Sequence, residues 1–165
     1  MQDIVLTLMS VLIAIVLLGS GASIYENTEN QAKAVLTISN VDTIISGIRS
    51  LYQGKTGYTG MNNTSLIAAN VFPASMIYGS GSTATVTNLF DGGVYLFSWG
   101  NKRFVLYYSG VPSEDCVRLI SGTQGKSIVS VSANFSWKTP PISVNTAISL
   151  CKRGRGASWV GFMSK

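Results

Sequence analysis

Histidine is absent from all 165 residues, and charged side chains make up only 12% of them. Without an imidazole, the commonest general base and the Ser–His and Cys–His nucleophile pairings are excluded. Low charge beside 46% hydrophobic residues is not a disordered composition, and it leaves much of the surface to face something other than water. Cysteine is scarce too. Cys116 and Cys151 are the whole complement, with no C-x-x-C pair and no His from which to build a metal site. A disulfide between Cys116 and Cys151 is the expected reading, with two buried free thiols as the alternative. A disulfide closing a loop of about 35 residues would stabilise the fold by roughly 4 kcal/mol in the chain-entropy model, in an oxidising compartment. No cofactor and no metal is expected.

Charge is also missing from one long stretch: no charged side chain stands between Asp3 and Glu26. The run from Ile4 to Tyr25 is apolar enough to cross roughly 30 Å of hydrocarbon as a helix, so the segment enters a membrane at some stage. A secretory signal would open with Lys or Arg, yet the first base is Lys33. Either a basic leader is already removed or the anchor is unusual.

The helical pattern continues past the apolar run. Ala34, Ile38, Val41, Ile45, Ile48 and Tyr52 recur three or four residues apart on one stripe, with Lys33, Asp42 and Arg49 outside it. A helix from about Ile4 to Tyr52 would be roughly 74 Å long. Its second half is striped and should pack on a domain. Its first half is apolar all round and needs lipid or a bundle of like helices, where each large side chain contributes roughly 1.5 to 3 kcal/mol on burial. A plain single-pass anchor is the alternative. Gly19-Ser20-Gly21 weakens the helix near the membrane exit, so Leu18 to Ser23 is expected to unwind in an assembled fibre.

Residues 53–92 are dense in Gly, Ser, Thr and Asn, with a short helix expected over Leu66 to Asn70, capped by Thr64 or Ser65. A hairpin is read from Val94–Trp99 and Arg103–Tyr108 around Gly100-Asn101. Ser113 is read as the cap of a helix carrying Cys116, and Ser127–Trp137 as a strand that Pro140-Pro141 breaks. Val144–Leu150 leads into Cys151. The final run, Ala157–Met163, is read as a strand inside the sheet because it is too apolar for a frayed end. The fold class is therefore α+β. One long N-terminal helix lies on a largely antiparallel sheet of four to five strands, with a C-terminal region bounded by the two cysteines. The domains are 1–25, an apolar assembly half-helix, and 26–165, a globular head. The head divides into helix 26–52, connection 53–92, and sheet with cysteine region 93–165.

Chemical motifs are weak. Ser149-Leu-Cys-Lys152 fits S-x-x-K and Lys55-Thr-Gly57 fits K-T-G, but in reversed order and without S-D-N. Gly122-Thr-Gln-Gly125-Lys126-Ser127 lacks the five-residue glycine spacing of a phosphate loop and reads as a turn into a strand. Residues 1–51 carry four acids and two bases, and the remainder three acids and ten bases. That asymmetry fits subunits meeting basic face to acidic face, or contact with an acidic polymer. Lys152, Arg153 and Arg155 form the densest basic cluster, a candidate patch for DNA or an acidic glycan; contacts to Glu26, Glu29 or Asp42 of another subunit are the competing reading.

The order of parts resembles the type IVb pilins, in particular the thin-pilus major pilins of conjugative plasmids and the bundle-forming and toxin-coregulated pilins. The resemblance rests on four features. These are the apolar N-terminus running into an amphipathic helix; Tyr52–Gly60 followed by Leu66–Pro73; Ser113–Ile120 with Cys116; and Ile148–Lys152 followed by Trp159–Phe162. It implies a pilin fold and a non-enzymatic structural subunit that polymerises through its N-terminal helix into a type IV pilus for adhesion, aggregation or mating contact. It implies residence in the bacterial inner membrane before export to the cell surface, a prepilin peptidase that removes a leader, and methylation of Met1. Inner-membrane assembly machinery and an outer-membrane secretin are the further partners it implies. Most type IV pilins carry Glu at the fifth position to neutralise a neighbour's N-terminal amine. Here Val5 stands there, and Asp3 is the only acid available for that role. A minor pilin or secretion pseudopilin is the runner-up function, and a membrane-anchored periplasmic binding module the third.

Overall fold

The stripe read from Ala34 to Tyr52 is a helix face. Residues 31–51 are helical (α1) in the computed structural model, which describes residues 31–123, 127–152 and 156–165. Ala34, Val41, Ile45 and Ile48 are fully buried, Ile38 and Tyr52 are half-buried, and Asp42 and Arg49 face water. Thr37 and Ile44 are buried as well, which widens the stripe to the broad apolar face of a core-packed helix. Ala34–Lys165 forms one compact unit.

The connection after α1 holds α2, Asn63–Ala68. Its cap is Asn62 rather than Thr64 or Ser65. The Asn62 side chain accepts from the Ser65 N–H at 2.9 Å, and Ser65 Oγ accepts from the Asn62 N–H at 3.4 Å. This reciprocal capping box starts the helix earlier than the threonine would. Two short strands, β1 (Ile77–Tyr78) and β2 (Thr85–Val86), pair antiparallel. The loop after β2 is held by Asn88, whose Oδ1 accepts from Phe90 N at 2.8 Å and Gly92 N at 3.1 Å, while its Nδ2 donates to Ser109 O at 2.8 Å.

The main sheet has five strands: β3 (Val94–Ser98), β4 (Phe104–Pro112), β5 (Ile128–Ala133), β6 (Ser136–Lys138) and β7 (Ala157–Ser164). Their order is β3-β4-β7-β5-β6, with every pair antiparallel. The last strand of the chain therefore lies at the centre, hydrogen-bonded on both sides. The expected single strand Ser127–Trp137 is instead a tight hairpin. Asn134 and Phe135 take φ of 49° and 65° and turn the chain in two residues, so that Ala133 pairs with Ser136. Such a turn matches the twist of the strands it joins.

One face of the sheet carries Val94, Leu96, Phe104, Leu106, Tyr108, Val131, Val160 and Phe162 into a single core with α1 and α2. The same core takes residues from α3 (Ser113–Gly122) and α4 (Val144–Cys151). Ser113 is the first helical residue of α3 and makes no capping bond; Pro112 precedes it with φ of −56°. The acids Glu114 and Asp115 occupy the first turn, where the helix dipole favours them. Asp115 is buried and accepts from Arg118 Nη1 at 3.2 Å. The run before Cys151 is helix α4, capped by Ser143, whose Oγ accepts from Thr146 N at 3.3 Å.

Candidate functional site

Cys116 in α3 and Cys151 in α4 are bonded, with Cα atoms 5.9 Å apart and a sequence separation of 35. Both are fully buried. The bond joins the two short helices that back the centre of the sheet. Asn134 adds a polar tie beside it. Its Nδ2 donates to Leu150 O at 3.3 Å, its Oδ1 accepts from Trp159 N at 3.1 Å, and its backbone N–H donates to Trp159 O at 2.8 Å. The β5–β6 turn is thereby fixed to both α4 and β7.

On α1, the face away from the sheet is not wholly polar. Val35 and Leu36 are exposed, and a shallow depression of about 660 Å³ is lined by Val35, Ile38, Ser39, Asp42, Thr43 and Ser46. Sequence periodicity passed over these two apolar residues because they fall off the stripe. A second depression of about 260 Å³ lies where Gly57 and Tyr58 meet Asn101. Tyr52, Lys55 and Lys102 complete its lining, and Lys55 Nζ sits 4.7 Å from the Tyr52 ring centre.

The sheet face opposite the core is covered by aromatic rings. Tyr107 lies at its middle, 5.6 Å from Phe135, 5.8 Å from Trp137, and 6.3 Å from both Phe97 and Trp159. Trp159 stacks on Tyr95 at 5.4 Å, and Trp99 approaches Trp137 at 6.4 Å. Gly161 is opposite Tyr107 in the ladder, and a Cβ there would come within 2.6 Å of both the Tyr107 ring and Ser132 Oγ. The absent side chain is what lets the tyrosine lie across β7. Burial among these groups pushes the Tyr107 phenol up, partly offset by Ser132. Alternation placed some of these aromatics in strands, but pairing of distant strands is what gathers them into one surface.

Among the expected site residues, Lys152 is exposed at the C-terminal end of α4. Arg153 and Arg155 lie outside the described residues, as do Met1, Asp3, Gly19, Ser20, Gly21 and the whole half-helix 1–25. Among the described residues, no helix is long and apolar enough to cross a membrane, and no cluster of potential metal ligands occurs. Ser149 sits in α4 and Lys55 at the other depression, so the two weak catalytic motifs mark separate elements.

A striped helix laid on an antiparallel sheet, with the C-terminal strand at its centre and a cystine clasping two short helices behind it, defines a type IV pilin head. Solved structures agree on that fold. TcpA, a type IV pilin from Vibrio cholerae El Tor biotype, superposes with a TM-score of 0.59 at 10% identity, covering 81% of this chain and 99% of its own. The type IVb pilin PilS from Salmonella typhi gives 0.52 at 20% identity, covering 79% and 94%. A family model described as PilS N terminal matches residues 31–165, and the chain belongs to that family. It is also 28% identical over 115 residues to the major structural subunit of the bundle-forming pilus of Escherichia coli O127:H6, a match covering 68% of this chain and 58% of that subunit. The corresponding subunit of Escherichia coli O111:H- matches to the same extent.

Proposed function

We propose that this chain is the major structural subunit of an extracellular type IV pilus, polymerising through its apolar N-terminal helix and leaving the cystine-clasped head outside. The observation that carries this reading is the match of the pilin family over residues 31–165, joined to an apolar run between Asp3 and Glu26 that leads into the striped α1. In lipid, the apolar half holds the subunit ready; in the fibre, the same side chains pack on those of neighbouring copies, and little burial is lost in the exchange. Exposed Val35 and Leu36 and the depression beside them extend the surface available to a neighbour's helix.

Within this reading Met1 is the processed, methylated terminus, and Asp3 pairs with an N-terminal amine in apolar surroundings, where a lone carboxylate would be costly. A prepilin peptidase, an inner-membrane assembly machine and an outer-membrane secretin are the partners such a fibre requires. The chain does no catalysis, and its fibre serves adhesion, aggregation or conjugative contact. Removing detergent from the purified full-length chain tests the proposal. A major subunit forms fibres, whereas a membrane-anchored binding module stays monomeric. Asp3→Ala is expected to lower fibre yield while the head keeps its unfolding midpoint; undiminished assembly contradicts the neutralising role.

A further inference from the structure

The aromatic face of the sheet lies opposite the core into which α1 packs. We propose that it is a glycan-binding platform, which takes a chain of pyranose rings with equatorial substituents. Five rings stand out from it: Tyr95 is 41% exposed, Phe97 53%, Trp99 54%, Phe135 62% and Trp159 37%, arranged around the buried Tyr107. The strands β3 to β7 contain no Asp or Glu, and Lys138 is their one base. Lys102 and Arg103 stand beside Trp99 in the β3–β4 turn, so the bases gather at the turn and do not form the basic track along the stacking rings that a nucleic acid needs. A sugar ring with equatorial hydroxyls suits the surface better. Its axial C–H groups form a flat apolar face for the π surface, and its hydroxyls stay hydrogen-bonded at the rim.

Size points the same way. The exposed parts of five aromatic side chains amount to roughly 500 Å². A stable protein interface needs about 800 Å² from each partner, so the platform fits a short oligosaccharide better than a second head.

Phe135 carries the argument furthest. It holds φ of 65° at the second position of a two-residue turn, after Asn134 at 49°. Glycine is the unstrained residue at that position, and a bulky side chain there is strained. The ring is also the most exposed of the five, so core packing does not account for it. Strain kept in an exposed aromatic marks a residue held for contact rather than for folding. On a fibre, and here the inference rests on the proposed polymerisation, the platform would recur at every subunit and multiply a weak single-site affinity.

The test uses the detergent-solubilised full-length chain titrated with cellohexaose and chitohexaose, read by tryptophan fluorescence and calorimetry. Saturable binding of at least one is expected, unchanged in about 0.5 M salt, where exposed charge attraction is screened. Phe135→Gly should weaken it about tenfold or more while the unfolding midpoint stays level or rises. Trp99→Ala should weaken it similarly, and Trp99→Tyr should restore most of it. The inference is overturned if neither hexasaccharide binds, if Phe135→Gly binds as tightly as the parent, or if salt abolishes binding, as for a polyanion surface. Loss of lateral fibre association in these variants without any change in saccharide binding would overturn it too, assigning the face to contact between copies. Because the readout is on solubilised subunits, a negative result leaves polymerisation standing, and failure to form fibres leaves this result readable.

Discussion

Tyr108 is fully buried against Phe162, and its hydroxyl has no hydrogen-bond partner among the described residues. A buried hydroxyl without a partner costs about 1 to 3 kcal/mol of desolvation. Tyr108→Phe is therefore expected to leave stability at neutral pH unchanged or raise it, measured by the urea midpoint; a clear loss would reveal a partner for the hydroxyl. Burial also pushes the phenol of Tyr108 far up, and that of Tyr107 up. A phenol that holds its proton longer in the folded state than in the unfolded one stabilises the fold below pH of about 10, the unfolded value. That contribution is lost as pH climbs above it. Alkaline unfolding should thus begin above about pH 10, and Tyr108→Phe should flatten the fall. Nothing in the sequence distinguished Tyr108 from Tyr107; the strand register sends one ring into the core and its neighbour to the outer face.

Local patterning carried the elements that rest on local physics. The α1 stripe, the β3–β4 hairpin and the apolar strand β7 were all legible, because helical period, alternation and turn residues are written within a dozen positions. The β5–β6 turn was not. Asn134-Phe135 lacks the glycine that normally announces such a turn, so the run read as one strand. Helix α4 is not legible in the sequence, because Val144–Leu150 mixes β-branched residues with Ser143 as its only start signal. The cystine acts at this scale, tying α3 to α4 across a separation of 35 residues. Replacing both cysteines, Cys116→Ser with Cys151→Ser, should lower the unfolding free energy by roughly 4 kcal/mol through the lost loop constraint. Denaturant titration of the double variant checks this, and an unchanged midpoint would mean that packing alone holds the two helices.

For the whole molecule, the candidate surfaces divide between what sequence could announce and what only folding assembles. The proposed assembly segment is announced by the charge-free run from residue 4 to residue 25 and by the stripe beyond it. The aromatic platform draws on β3, β4, β6, β7 and the Asn134-Phe135 turn, and it exists only because the C-terminal strand inserts between β4 and β5. Lys152 alone of the basic cluster lies among the described residues, exposed at the C-terminal end of α4. Electron microscopy of fibres sheared from the cell surface, with mass identification of their main protein, tests the central claim most directly. The account predicts thin fibres in which this chain is the dominant component. A chain that remains wholly in the membrane fraction, beside fibres built of another protein, would contradict it.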